Sequence, residues 1–141
     1  MSPEDNKVLV QRFIDEVMNS GRFAAIAELC VAGSLFAGGI EGLMRAMRTT
    51  FPDLHMSIDE VFGEGNKIAV RVTARGTNTG PLVGLPAFGR LETPVPPTGK
   101  SVTGTGIYLF TLSDGKISSL AAEIDQIGLL QQLGWTFAPP A

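Results

Sequence analysis

The chain has 141 residues, 44% hydrophobic and 18% charged, with a formal net charge of −3. A chain of this length buries roughly 68 to 70% of the surface its unfolded form would expose, and the composition excludes a disordered or low-complexity protein. The eleven Lys and Arg residues are scattered rather than gathered into a stripe with aromatics between them, which argues against nucleic acid as a partner, because phosphate neutralisation supplies most of that affinity.

The N-terminus reads Ser2-Pro3-Glu4-Asp5, not a basic region followed by an apolar run, so no secretory signal is expected. No apolar stretch approaches the ~20 residues needed to cross a bilayer, so no membrane partner is expected. One cysteine, Cys30, excludes an intrachain disulfide. It fits a reducing compartment and reads as a small buried hydrophobe. The expected location is cytoplasmic, and residues 1–141 read as a single domain.

Ser2 caps a predicted helix whose first turn holds Pro3, Glu4 and Asp5, matching the preference for proline and acids at the positive helix end. Leu9, Val10, Phe13, Ile14 and Val17 recur at helical spacing until Asn19-Ser20-Gly21. A second helix, about Phe23 to Cys30, is too short to stand alone and must pack on the first. The stretch from Val31 to Gly39 reads as a loop. A third helix, from about Ile40 to Thr50, carries Leu43, Met44, Met47 and Phe51 on one side before Pro52 ends it.

From Leu54 the period changes to two. Met56, Ile58 and Val61 indicate a strand with an irregularity near Glu60. From Lys67 to Asn78 a second strand places Ile68, Val70, Val72 and Ala74 on one face and Arg71, Thr73 and Arg75 on the other. Residues 80–97 then read as a long loop rich in Pro and Gly, with Leu82, Val83, Leu85, Phe88, Leu91 and Val95 in need of cover. Loops of this length are often lids or binding loops, and a dimer arm is the competing reading.

A long alternating segment from Ser101 to Leu112 meets a second one across Ser113-Asp114-Gly115-Lys116, and Asp-Gly between alternating runs marks a hairpin. On the first strand Val102, Gly104, Gly106, Tyr108, Phe110 and Leu112 share a face. On the second, Ser118, Leu120, Ala122 and Ile124 do so. Their apolarity turns these sets inward and sends Ser119, Ala121, Glu123 and Asp125 outward. Gly128 to Gly134 closes as a short helix. Helices first and a strongly curved antiparallel sheet afterwards define the class as α+β.

The hairpin and its tail, with Phe51-Pro52-Asp53 and Gly76-Thr77-Asn78-Thr79-Gly80 before them, resemble the SnoaL-like polyketide cyclases of the NTF2-like superfamily in order and spacing over most of the chain. The resemblance implies a cone in which N-terminal helices pack on the curved sheet and enclose a pocket. It also implies a homodimer, since many members pair through the outward sheet face, here Arg71, Thr73, Arg75, Thr103, Thr105, Ile107 and Leu109. Against the family, about ten residues from Ala87 to Pro96 look inserted.

Aldol-type members use a pocket aspartate on the last strand and a histidine on the strand before. Counted from the Asp114-Gly115 turn, those positions fall on Ala122 and Tyr108. Tyr108 and Asn78, the latter sharing parity with Val70 and Val72, are therefore the expected catalytic polar groups. The expected substrate-binding wall comprises Phe13, Val17, Met44, Met47 and Phe51 from the helices and Val70, Val72, Phe110, Leu120, Ala122 and Ile124 from the strands. The helical members of that set read equally well as plain core.

Asp125 precedes the closing helix and reads first as its N-cap. Glu123 is outward by parity. His55 is the only histidine, so no histidine-based metal site or nucleophile pair is expected. Gly63-Glu64-Gly65 and Gly104-Thr105-Gly106 lack the context of phosphate loops. The expected function is a cofactor-independent cyclase acting on a hydrophobic, polyketide-like small molecule by confinement. A non-catalytic carrier of the same fold, or an aldol- or epoxide-type cyclase using Asp125 or Glu123, remains as an alternative.

Overall fold

The computed structural model describes residues 2–86 and 88–141, and Ala87, the first residue of the stretch expected to be inserted, lies outside them. Helix α1 (Pro3–Phe13) starts at a reciprocal cap. The Asp5 backbone N–H donates to Ser2 Oγ at 3.2 Å, and the Ser2 N–H donates to the Asp5 carboxylate at 3.2 Å, so two amide hydrogens that the helix cannot use find partners. The same rod continues as a π turn (Ile14–Asn19) that ends where Gly21 turns left-handed at φ +67°. Sequence periodicity reads this stretch as ordinary α-helix, because one wide turn barely alters the apolar spacing.

A short helix α2 (Ala25–Leu29) packs on the first, as its length requires. Helix α3 (Leu35–Thr50) begins five residues earlier than Ile40. Gly38 and Gly39 look like breakers in the sequence, yet Ser34 Oγ accepts the Ala37 N–H at 3.1 Å and nucleates the helix ahead of them. Burial of Ile40 and Met44 then holds the glycine-rich turns in place.

The main sheet is antiparallel in the order β1-β2-β5-β6 and stays open: β1 (His55–Glu64), β2 (Lys67–Thr77), β5 (Ser101–Ser113) and β6 (Lys116–Ile124). The irregularity expected near Glu60 is a bulge between Ile58 and Glu60. Tyr108 pairs with Ala122, Phe110 with Leu120 and Gly106 with Ile124, the register that alternation predicts. A second bulge, beside Leu112, breaks the pattern at one position. Leu112 pairs with Ile117, so Ile117 is fully buried where Ser118 was expected, and Ser118 Oγ instead donates to the Thr111 carbonyl at 3.0 Å.

The stretch read as a loop contains a second, two-stranded sheet, β3 (Leu82–Leu85) and β4 (Gly89–Val95). Its leucines do find cover: Leu82 and Leu85 form a small core with Leu130, flanked by Met47, Leu91, Val95, Leu129 and Trp135. Phe88 stacks on Trp135 with ring centroids 6.1 Å apart. The arm is thus folded onto α3 and the closing helix α4 (Gln126–Gln132).

Helix α4 is pinned at both ends. Asp125 Oδ1 accepts the Gly128 N–H at 2.8 Å, the cap expected from sequence. Where β6 runs out, the Gln132 side-chain amide takes its place beside β5, accepting from Thr103 N–H at 2.9 Å and donating to the Thr103 carbonyl at 2.8 Å. The helix therefore stays against the sheet edge and roofs its open end.

Candidate active site

The large core, with Val10, Phe13, Ile14, Val17, Ile68, Val70 and Phe110 all fully buried, fills one end of the space between helices and sheet. Toward the other end the inward side chains shrink, and a cavity of about 330 Å³ opens, within the range of small-molecule sites. Of the expected wall, Met44, Met47, Phe51, Val72, Leu120, Ala122 and Ile124 line it, together with Tyr108. Phe13, Val17, Val70 and Phe110 do not: they are solid core at the closed end. Helical and strand periodicity marks an inward side chain, but not whether another side chain or empty space lies in front of it.

The methionines of the described residues, Met18, Met44, Met47 and Met56, all line the cavity. Their unbranched thioethers make an adaptable wall. Leu85 and Pro86 close it from the β3–β4 arm, and Gln126 and Leu129 from α4. Sequence reasoning missed these contributors because they come from a segment read as loop and from a helix read only as a cap. It also missed Gly104 and Gly106, although both were placed on the inward face. Two successive inward glycines were the available signal for a hollow.

Tyr108 is the one buried polar side chain on the lining among the described residues. It sits edge-on to Phe110, and its hydroxyl donates to Met56 Sδ at 3.6 Å. A thioether is a weak acceptor, so a ligand carbonyl offered to this hydroxyl makes the better bond. Burial raises the phenol pKa to about 12, which keeps it protonated, and a donor, at any physiological pH. Met56 is itself fixed through the π turn. The Asn19 side chain accepts from the Met56 N–H at 2.7 Å and donates to its carbonyl at 2.9 Å.

Asn78 is not part of the cavity lining. It is almost wholly buried, and its amide is engaged in the neighbouring loops: Nδ2 donates to the Gly80 carbonyl at 2.7 Å, and Oδ1 accepts from both Thr98 N–H and Thr98 Oγ1 at 2.9 Å. The expectation that it faces the pocket mouth fails because β2 ends at Thr77, so strand parity no longer governs the next residue. The charged residues on the lining, Arg75 and Asp125, are both exposed at its rim. Glu123 lies on the opposite face of the sheet, in a shallow cleft beside Arg71 and Ile107.

The SnoaL-like polyketide cyclase family profile matches residues 8–133. The chain belongs to this family. Among solved structures, TsrD from Streptomyces laurentii superposes with a TM-score of 0.79 at 22% identity, over 95% of this chain and 98% of its own. A proposed SnoaL-like polyketide cyclase from Jannaschia sp. CCS1 gives a TM-score of 0.79 at 25% identity over 99% and 98%. IdmH from Streptomyces antibioticus, a proposed polyketide cyclase, gives 0.74 at 22% identity over 92% and 99%. No curated protein sequence matches the chain. These likenesses agree with the helices-then-curled-sheet architecture of this SnoaL-like chain. Among its described residues no helix is long and apolar enough to cross a membrane.

Proposed function

We propose that this SnoaL-like chain is a cofactor-independent cyclase of natural-product biosynthesis that closes a ring within one neutral, polyketide-type molecule by confining it. The observation that carries the reading is the pairing of Tyr108 with Ala122 on adjacent strands: among the described residues the one buried polar side chain on the lining is a neutral phenol, and alanine stands where the family resemblance puts an acid/base carboxylate. Holding two reacting ends in a near-attack geometry lowers a barrier by ~7 to 11 kcal/mol, whereas an acid/base residue typically supplies ~10²- to 10⁴-fold. A cycloaddition exchanges two π bonds for two σ bonds within the molecule and transfers no proton, electron or leaving group. Such an isomerisation needs shape more than it needs a carboxylate. Tyr108 orients the substrate by donating to a carbonyl oxygen.

On the same reading the β3–β4 arm, which brings Leu85 and Pro86 to the cavity and rests on Trp135, acts as its lid. The outward sheet face, with Phe62, Ile107 and Leu109 exposed, pairs two copies into a homodimer in the cytoplasm.

A time course of ring closure of a polyene or polyketide precursor, with and without protein, tests the proposal. Acceleration is expected, with Leu120→Trp and Ala122→Trp each reducing it on the order of a hundredfold by filling the site. If both variants turn the precursor over normally, the cavity is not where the chemistry happens. Saturable binding with an unchanged rate and product ratio would establish the carrier reading, which the alanine at 122 favours. Asp125→Asn keeps a capping oxygen and leaves the rate unchanged under confinement; a large loss would move the chemistry to proton transfer at the rim.

A further inference from the structure

We propose that Gly104 is the specificity-determining position of this pocket, and that the bare floor it leaves receives the far end of an elongated, neutral, hydrocarbon-rich ligand whose oxygen meets Tyr108. The inference rests on the cavity being the ligand site, as in the cyclase reading, but not on turnover.

Strand β5 carries two inward glycines for two different reasons. A Cβ on Gly106 would lie 2.5 Å from Ile124 Cγ2 and 3.1 Å from the Glu123 carbonyl oxygen, so glycine is needed there because a neighbour occupies the place. A Cβ on Gly104 would meet no heavy atom within 4 Å, although the residue lines the cavity. Neither does Gly104 serve the backbone, since its φ is not among the positive ones. Glycine within a strand costs stability relative to alanine, so a glycine that relieves neither a clash nor a torsion is explained by the volume it leaves open. Its cross-strand partner is Ala74, the smallest residue of the inward series Ile68, Val70, Val72 and Ala74.

Four residues separate Gly104 from Tyr108, which is ~13 Å along a strand. The phenol hydroxyl stands nearer the glycine than its own backbone does, because it donates to Met56 Sδ and Met56, Ala74 and Gly104 share one row across the sheet, so of two ligands bonded to the phenol the longer presses further onto the glycine. Because the charged lining residues, Arg75 and Asp125, are exposed at the rim, the interior suits an uncharged molecule. Filled to the ~0.75 density of protein interiors, a cavity of about 330 Å³ holds a molecule the size of a substituted naphthalene.

Two dialkylamino aryl ketones act as a ruler. Prodan carries its carbonyl at one end of a naphthalene and its amine at the other; 4-(dimethylamino)propiophenone is the same molecule shortened by one ring. Prodan fluorescence, and its displacement by the shorter ketone, give both affinities for the wild type and for G104A, G104V and A74V. Prodan affinity is expected to fall stepwise, on the order of ten- to a hundredfold from G104A to G104V, and to fall in A74V. The short ketone should stay within about twofold, with the Tm of G104A unchanged or raised. The proposal is overturned if both ketones weaken in parallel, if prodan affinity is unchanged, if its loss tracks a fallen Tm, or if the wild type does not bind prodan. A protein that sorts the two probes this way yet leaves the rate of ring closure unchanged keeps the size determinant and loses the cyclase reading.

Discussion

The two halves of β5 share a backbone geometry and differ only in what they carry inward. At one end Phe110 and Leu112 meet Phe13, Ile68 and Ile117 in a core with almost no exposed surface; at the other, Gly104 stands beside Ala74, and Ala122 faces Tyr108 across the next strand pair, around empty space. The pocket is therefore made by side-chain size along a single alternation, with no change in the fold. On the proposed reading stability is concentrated at the closed end and ligand selection at the open end, and substitutions should separate the two properties.

The largest effect is expected at the closed end. Phe110 is fully buried and packs edge-on against Phe13, with ring centroids 5.9 Å apart. Phe110→Ala should cost ~3 to 5 kcal/mol in urea unfolding, the usual range for removing a buried aromatic. A loss below ~1 kcal/mol would mean that the closed end collapses to fill the hole and that the contrast between the halves is false.

Tyr108 sits at the border between the halves and ties stability to alkaline pH. Its folded-state pKa, about 12, lies above the ordinary phenol value because burial disfavours the phenolate. The unfolded chain therefore releases its proton first. The stabilisation is fully present below the ordinary phenol pKa and is lost as pH rises through the folded one, an interval worth roughly 2 to 3 kcal/mol at ~1.4 kcal/mol per pKa unit. The chain contains one tyrosine, so phenolate absorbance reads this residue alone. Absorbance rising only near pH 12, and stability that falls over that interval more steeply in the wild type than in Tyr108→Phe, where the buried Cys30 thiol, pushed up to about 11, still contributes, are the expected results. An ordinary tyrosine titration would mean that solvent reaches the phenol.

Much of this contrast was legible in the sequence. Strict alternation set the faces of β2 and β5, and Asp114-Gly115 fixed the hairpin, where both residues adopt positive φ (49° and 75°). That register placed Tyr108, Gly104, Ala122 and Ile124 on one inward surface. Features decided by long-range packing were not legible. The β3–β4 hairpin, dense in proline, holds its shape by resting on Leu130 and Trp135, more than thirty residues away in sequence. Helix α3 passes through Gly38-Gly39 because Ser34 and the buried Ile40 outweigh local propensity. Phe13 and Val17 have the spacing of pocket walls, but only the size of the residues opposite them decides whether they face a void.

Asn78 supplies the smallest and most discriminating case. Strand parity assigned it to the open end, yet its amide joins Gly80 to Thr98 and lies outside the cavity lining. Asn78→Ala leaves the Thr98 N–H and the Gly80 carbonyl without their partner, so a loss of ~1 to 3 kcal/mol is expected in urea unfolding. Because no ligand contact is removed, prodan affinity should stay within about twofold of wild type at a temperature where the variant is folded. The opposite pattern, a tenfold loss of affinity with stability intact, would return Asn78 to the site and show that the open end extends past the end of β2.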